Sequence, residues 1–105
     1  MTAAADPVMT RFRTALDEAY GARIERVILF GSRVRGDARP DSDYDVAVFL
    51  KDFRAFADEL TALVDIETDL LRDTGAVINA LPLGAGTHRD RTGFMAEVRR
   101  DGLDL

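Results

Sequence analysis

A chain of 105 residues, 47% apolar and 31% charged with a formal charge of −5, has the size and balance of one compact domain spanning residues 1–105, which excludes a second. A chain this short buries roughly 60–70% of the surface its unfolded form exposes, so any substrate cleft is shallow or is completed by a partner. With no Cys and one His, His88, disulfides, thiol catalysis and multi-histidine metal sites are excluded, and chemistry must run on oxygen ligands and arginines.

Met1 to Asp6 lacks the basic-then-apolar order of a signal peptide, and no run approaches the roughly 18 apolar residues of a membrane span. The expectation is a soluble cytoplasmic protein with no membrane partner. From Pro7 to Tyr20, Met9, Phe12, Leu16, Ala19 and Tyr20 follow the spacing of an amphipathic helix, with Asp6 as N-cap, Pro7 in the first turn and Gly21 as the stop. Arg26 to Phe30 is a short β-branched-rich run ended by Gly31 and predicts a buried strand. Ser32 to Ser42 leaves room for one helical turn and a turn at Pro40-Asp41. Asp43 to Leu50 alternates as a strand, with Tyr44, Val46, Val48 and Leu50 on one face and Asp43, Asp45, Ala47 and Phe49 on the other.

Phe53, Phe56, Ala57, Leu60, Leu63, Val64, Leu70 and Leu71 recur at helical spacing and predict a long helix stopped by Gly75, with a core stripe of Phe53, Phe56 and Leu60. Residues 52–73 hold seven acids against Arg54 and Arg72, most simply the solvated face of that helix; Asp65, Glu67 and Asp69 belong to it rather than to a metal cluster. Ala76 to Leu81 reads as a third strand ended by Pro82. A Gly-rich loop follows, with His88 exposed and without partners, then a helix near Arg91 to Asp101 that buries Phe94, Met95 and Val98 and is capped by Gly102. The expected fold is α/β (α+β): a small mixed three-stranded sheet packed with about four helices.

Two features bear on chemistry. Gly31-Ser32 follows a strand and opens a helical turn, so backbone N–H groups there can face an anion with the Ser32 hydroxyl beside them. Asp43 and Asp45, two apart on a strand, place both carboxylates on one face, roughly 7 Å apart at Cα, where their oxygens can converge on a hard divalent cation. Magnesium is characteristically held by carboxylates together with substrate phosphates, and the two features supply both halves of such a site. The only basic stretch is residues 23–39, with Arg23, Arg26, Arg33, Arg35 and Arg39, which suits a phosphorylated small molecule better than a long nucleic acid.

The sixteen residues Gly31-Ser32-Arg33-Val34-Arg35-Gly36-Asp37-Ala38-Arg39-Pro40-Asp41-Ser42-Asp43-Tyr44-Asp45-Val46 closely resemble the signature of minimal nucleotidyltransferases (MNT), a branch of the DNA polymerase beta superfamily. The resemblance implies that Gly31 and Ser32 hold a nucleoside triphosphate, that Asp43 and Asp45 bind Mg2+, that Ser42 supports the loop and that Arg33 and Arg35 lie near the phosphates. The family usually completes its catalytic set with a third acid on the strand after the long helix. Here that strand carries Val77-Ile78-Asn79-Ala80, and alternation selects Asn79, an amide that can ligate a metal but cannot act as general base.

The implied function is magnesium-dependent transfer of a nucleoside monophosphate, AMP from ATP, to an acceptor hydroxyl. Superfamily relatives that act on antibiotics or RNA carry further acceptor-binding domains. MNT resemblance instead implies a partner protein as acceptor: a HEPN ribonuclease toxin encoded in the adjacent gene, with this chain as its antitoxin. The alternative is an MNT domain of little or no activity that neutralises its HEPN partner by binding.

Overall fold

The computed structural model describes residues 6–105; the Met1 to Ala5 part of the leader reading lies outside them. Helix α1, Pro7–Tyr20, starts as its sequence dictates: Asp6 Oδ1 accepts the Val8 N–H at 2.8 Å and Gly21, at φ 54°, ends it. Strand β1, Ile24–Phe30, leads through Gly31 into α2, Ser32–Arg35, and a loop returns to β2, Tyr44–Leu50. Then come α3, Phe56–Thr74, with Gly75 in the left-handed C-cap position, β3, Ile78–Gly84, α4, Gly93–Asp101, and β4, Leu103–Asp104. Short turns of 3-10 helix occupy Gly21–Arg23 and Thr87–Arg89.

The strands form one mixed sheet in the order β3-β2-β1-β4. Hairpin-like β1 and β2 are antiparallel, while β2 and β3 run parallel because the 19-residue α3 crosses between them. The sheet thus has four strands where three were expected. Two-residue β4 pairs with Ile28 and Leu29, and so short a segment carries no periodicity by which sequence could announce it.

The alternation in β2 sorts the two faces. On one, Val46, Val48 and Leu50 join Val27 and Leu29 and bury Met9, Phe12 and Leu16 of α1 with Leu63 and Leu70 of α3. On the other, Ile28, Ala47 and Phe49 are covered by Met95 and Val98 of α4. That short helix covers only part of its face.

Four local expectations differ from the structure. Pro82 does not end β3 but lies inside it. The Ala80 N–H points off the sheet to Glu67 Oε1 at 2.7 Å, so the nitrogen of Pro82, two residues on, also faces outward and no ladder bond is lost on this edge strand. Phe56 is not core but 49% exposed, since α3 begins there and turns Leu63 and Leu70 inward. The acids of α3 are not all solvated: Glu59 is buried in an ion pair with Arg23, and Glu67 caps the edge of β3. Phe94 lies 38% exposed, edge-on to Phe30, rather than in the core.

Candidate active site

Strand alternation sends Asp45 to the face that α4 only partly covers. Cross-strand register sets Phe30 of β1 and Asn79 of β3 on either side of it. Asp43, one residue before β2, is exposed, and Asn79 Nδ2 donates to its Oδ2 at 3.0 Å. Gly31 closes the group from the β1 side. At φ 84° it holds a backbone conformation that L side chains rarely adopt, and a Cβ there would fall 2.5 Å from Asp45 Oδ2. Gly31, Asp43, Asp45 and Asn79 therefore meet at one end of the sheet, with Ser32 next in the chain at the first position of α2.

The α2 turn is too short for a substantial dipole, but its leading N–H groups are individual donors, and the Gly31 carbonyl is occupied by the Val34 and Arg35 N–H groups. Arg35 projects on the α4 side. It pairs with Glu97 at 3.4 Å and Asp37 at 3.6 Å, and its charge acts on Asp45. Arg33 does not join the carboxylates. Its guanidinium stacks 4.1 Å from the centroid of Tyr44, on the α1 and α3 face, and donates to the Ser42 and Pro40 carbonyls. Ser42 Oγ accepts the Arg39 N–H at 2.8 Å, fastening the loop that delivers Asp43.

Burial pushes the Asp45 carboxyl above its ordinary range; the Asn79 amide opposes this, Asp43 adds to it, and Arg35 opposes it. Two hard oxygen donors on one face, one partly desolvated and backed by a glycine without room for Cβ, fit a divalent cation shared with phosphate oxygens. Among the described residues no group of three or more His, Cys, Asp or Glu is arranged to hold a metal.

Sequence reasoning missed two neighbours. Phe30 beside Asp45 emerges only from the β1–β2 register, and Glu97 reaches Arg35 across 62 positions of chain, with no local signal. His88 is not solitary: it packs edge-on against Phe49 at 5.6 Å and meets the Arg26 guanidinium, and burial, with Arg26 and Arg99, lowers its pKa. It lies under the other end of the sheet, against Phe49 rather than Asp45.

Comparison with known proteins identifies the fold and the family. A candidate protein adenylyltransferase of Methanocaldococcus jannaschii is 36% identical over 76 residues, covering 72% of this chain and 70% of the relative. A candidate nucleotidyltransferase from Sulfolobus solfataricus shares the fold at a TM-score of 0.65 and 19% identity, covering 92% of this chain and 75% of that one. A toxin–antitoxin structure with AMP-PNP superposes at a TM-score of 0.62 and 17% identity over 89% of this chain and 68% of that one. An MntA–HpeT toxin–antitoxin structure does so at 0.61 and 16%, over 88% and 68%. The family model of the nucleotidyltransferase domain matches residues 9–90, and with the Gly31 turn and the Asp43–Asp45 pair in place this chain belongs to that nucleotidyltransferase family.

Proposed function

We propose that this chain transfers AMP from ATP, with Mg2+, to a hydroxyl of a partner protein. The observation that carries this reading is the abutment of Gly31 on Asp45, which brings the Gly31-Ser32 turn against the Asp43–Asp45 pair. Ser32 and the turn's N–H groups bind and orient the triphosphate, and Arg35 adds a cation on the α4 side. Mg2+ held by Asp43 and Asp45 would neutralise phosphate charge as it builds in the transition state. The acceptor oxygen bonds to the α-phosphorus, the bond to the bridging oxygen breaks, pyrophosphate leaves, and the hydroxyl proton passes to a carboxylate of the pair. The M. jannaschii relative carries the adenylyltransferase name and the toxin–antitoxin neighbours supply the context, so the partner we infer is a HEPN-type toxin from the adjacent gene and the role that of antitoxin.

A second reading has its own observation. Asn79 gives Asp43 a hydrogen bond where a third acid would give the site a base, which favours a domain that binds nucleotide and partner but transfers slowly or not at all. Co-expression with the neighbouring gene product decides between them. A mass gain of one or more AMP units on the partner, lost in Asp43→Ala with Asp45→Ala, supports transfer. An unmodified partner in a stable complex supports binding alone.

A further inference from the structure

We propose that Arg33 is a positioning residue: it sets the direction of Asp43 by holding the peptide unit in front of it, and serves the nucleotide through that carboxylate rather than by touching phosphate. The effect on nucleotide rests on the Mg-ATP reading above; the hold on Asp43 stands apart from it.

Asp43 precedes β2 and is exposed, so neither the ladder nor burial fixes its backbone. Peptide units are planar, and the direction of Asp43 is therefore set by two rotations at its Cα, between the plane it shares with Ser42 and the plane it shares with Tyr44. The second plane is held by β3, since the Tyr44 N–H donates to the Val77 carbonyl at 2.9 Å. The first is held by Arg33. Its Nε donates to the Ser42 carbonyl at 3.1 Å, Nη2 donates to the same oxygen, and Nη2 also reaches the Pro40 carbonyl at 3.2 Å. The bonds between Arg39 and Ser42 fold the loop on itself without tying it to another element. Pro40 and Asp41 are exposed and border an open cleft of about 410 Å³ that Thr74 to Val77 also line, so side-chain packing does little to hold the loop.

The guanidinium is itself held in place. It lies 4.1 Å from the centroid of the buried Tyr44 ring, and the Tyr44 hydroxyl is fastened to Asp6 at the start of α1. A planar fork that stacks on an aromatic face while both its arms meet one carbonyl is geometry that Arg supplies and Lys does not. Arg33 also follows Ser32 directly, so the one turn of α2 carries both the Ser32 hydroxyl and the tether of the Asp43 loop. Asp45 needs no such tether, being registered within β2 between Phe30 and Asn79. Loss of Arg33 should therefore disturb one carboxylate of the pair and spare the other.

The test compares the whole chain with Arg33→Met and Arg33→Lys, first by amide NMR without ligand and then by calorimetry with Mg-ATP, with circular dichroism to check the fold. In both variants the Ser42 and Asp43 amides are expected to shift and lose order while the Asp45 amide stays in place; should Arg33→Met not fold, Arg33→Lys carries the same comparison. Mg-ATP affinity should fall roughly tenfold, the usual worth of one hydrogen bond to a charged group. Arg33→Lys, which keeps the charge without the fork, should recover little of it. In Asp43→Ala, which leaves Asp45 in place, adding Arg33→Met should cost nothing further. Unmoved Ser42 and Asp43 amides overturn the proposal, as do shifts that reach Asp45 equally. An undiminished loss in the Asp43→Ala background overturns it in favour of direct phosphate contact, and full recovery by lysine overturns it in favour of charge alone. Shifts at Ser42 and Asp43 in a chain that gives no heat with Mg-ATP support the hold on Asp43 and remove the nucleotide reading.

Discussion

Asn79 Nδ2 lies 3.0 Å from Asp43 Oδ2, so the β3 residue opposite Asp45 gives the carboxylate pair a hydrogen-bond donor instead of another acid. Replacing the amide by an acid removes a donor and introduces like charge. Asn79→Asp should melt at a lower temperature than the parent without metal and recover on adding Mg2+. If position 79 is where a base is needed, transfer to the partner should rise, by at most about 10²–10⁴, the usual worth of general acid–base catalysis. Mass spectrometry of the partner over time measures this. Brisk transfer by the parent, unchanged in the variant, would show that another group takes the proton.

Gly31→Ala tests the abutment on which the functional reading rests. The added Cβ would sit 2.5 Å from Asp45 Oδ2 at φ 84°. At φ 84° and ψ −156° the backbone lies in a region essentially confined to glycine, which costs another residue about 1–3 kcal/mol, and the displaced carboxylate should weaken Mg-ATP binding as well. Thermal melting and calorimetry read the two effects separately. Native affinity in the variant would mean that Asp45 is not a ligand.

Asp45 also makes a prediction about pH. Burial raises its pKa in the folded state, so folded protein binds this proton more tightly than unfolded protein. The stability involved is fully present below the ordinary carboxylate pKa of about 3.9 and is lost as pH rises through the raised value. Asp45→Asn should therefore melt higher than the parent at neutral pH without metal, with the difference fading toward acid. The same variant should lose Mg-ATP binding.

Two tyrosines at opposite ends of the core should respond oppositely to loss of the hydroxyl. Tyr44 donates to Asp6 Oδ2 at 2.6 Å, and burial followed by that bond pushes its pKa up to about 12. Tyr44→Phe should cost about 1.5 kcal/mol, the lower value for a hydrogen bond to a charged group, because the pair is only partly buried. The Tyr20 hydroxyl is buried without a hydrogen-bond partner among the described residues. Tyr20→Phe should be neutral or stabilise by about 1 kcal/mol, the penalty for an unsatisfied group being relieved. Denaturant melts of both variants check the signs.

What the sequence by itself determined about this protein is what depends on neighbours a few positions apart. Asp6, Pro7 and Gly21 bound α1 because caps are local hydrogen bonds and local dihedrals. Alternation in β2 put Asp45 opposite Val46 and Val48, and Gly31 through Val46 carried the family resemblance within one continuous run. Only the tertiary structure decided the rest. Register placed Asn79 beside Asp45, and an outward-facing nitrogen let Pro82 remain within β3, a freedom that exists only on an edge strand. The pairing of β4 with β1, the burial of Glu59 on Arg23 and the exposure of Val64 and Leu71 also depend on partners far along the chain. Helical spacing shows which residues of α3 share a face, but not which face the sheet and α1 leave open.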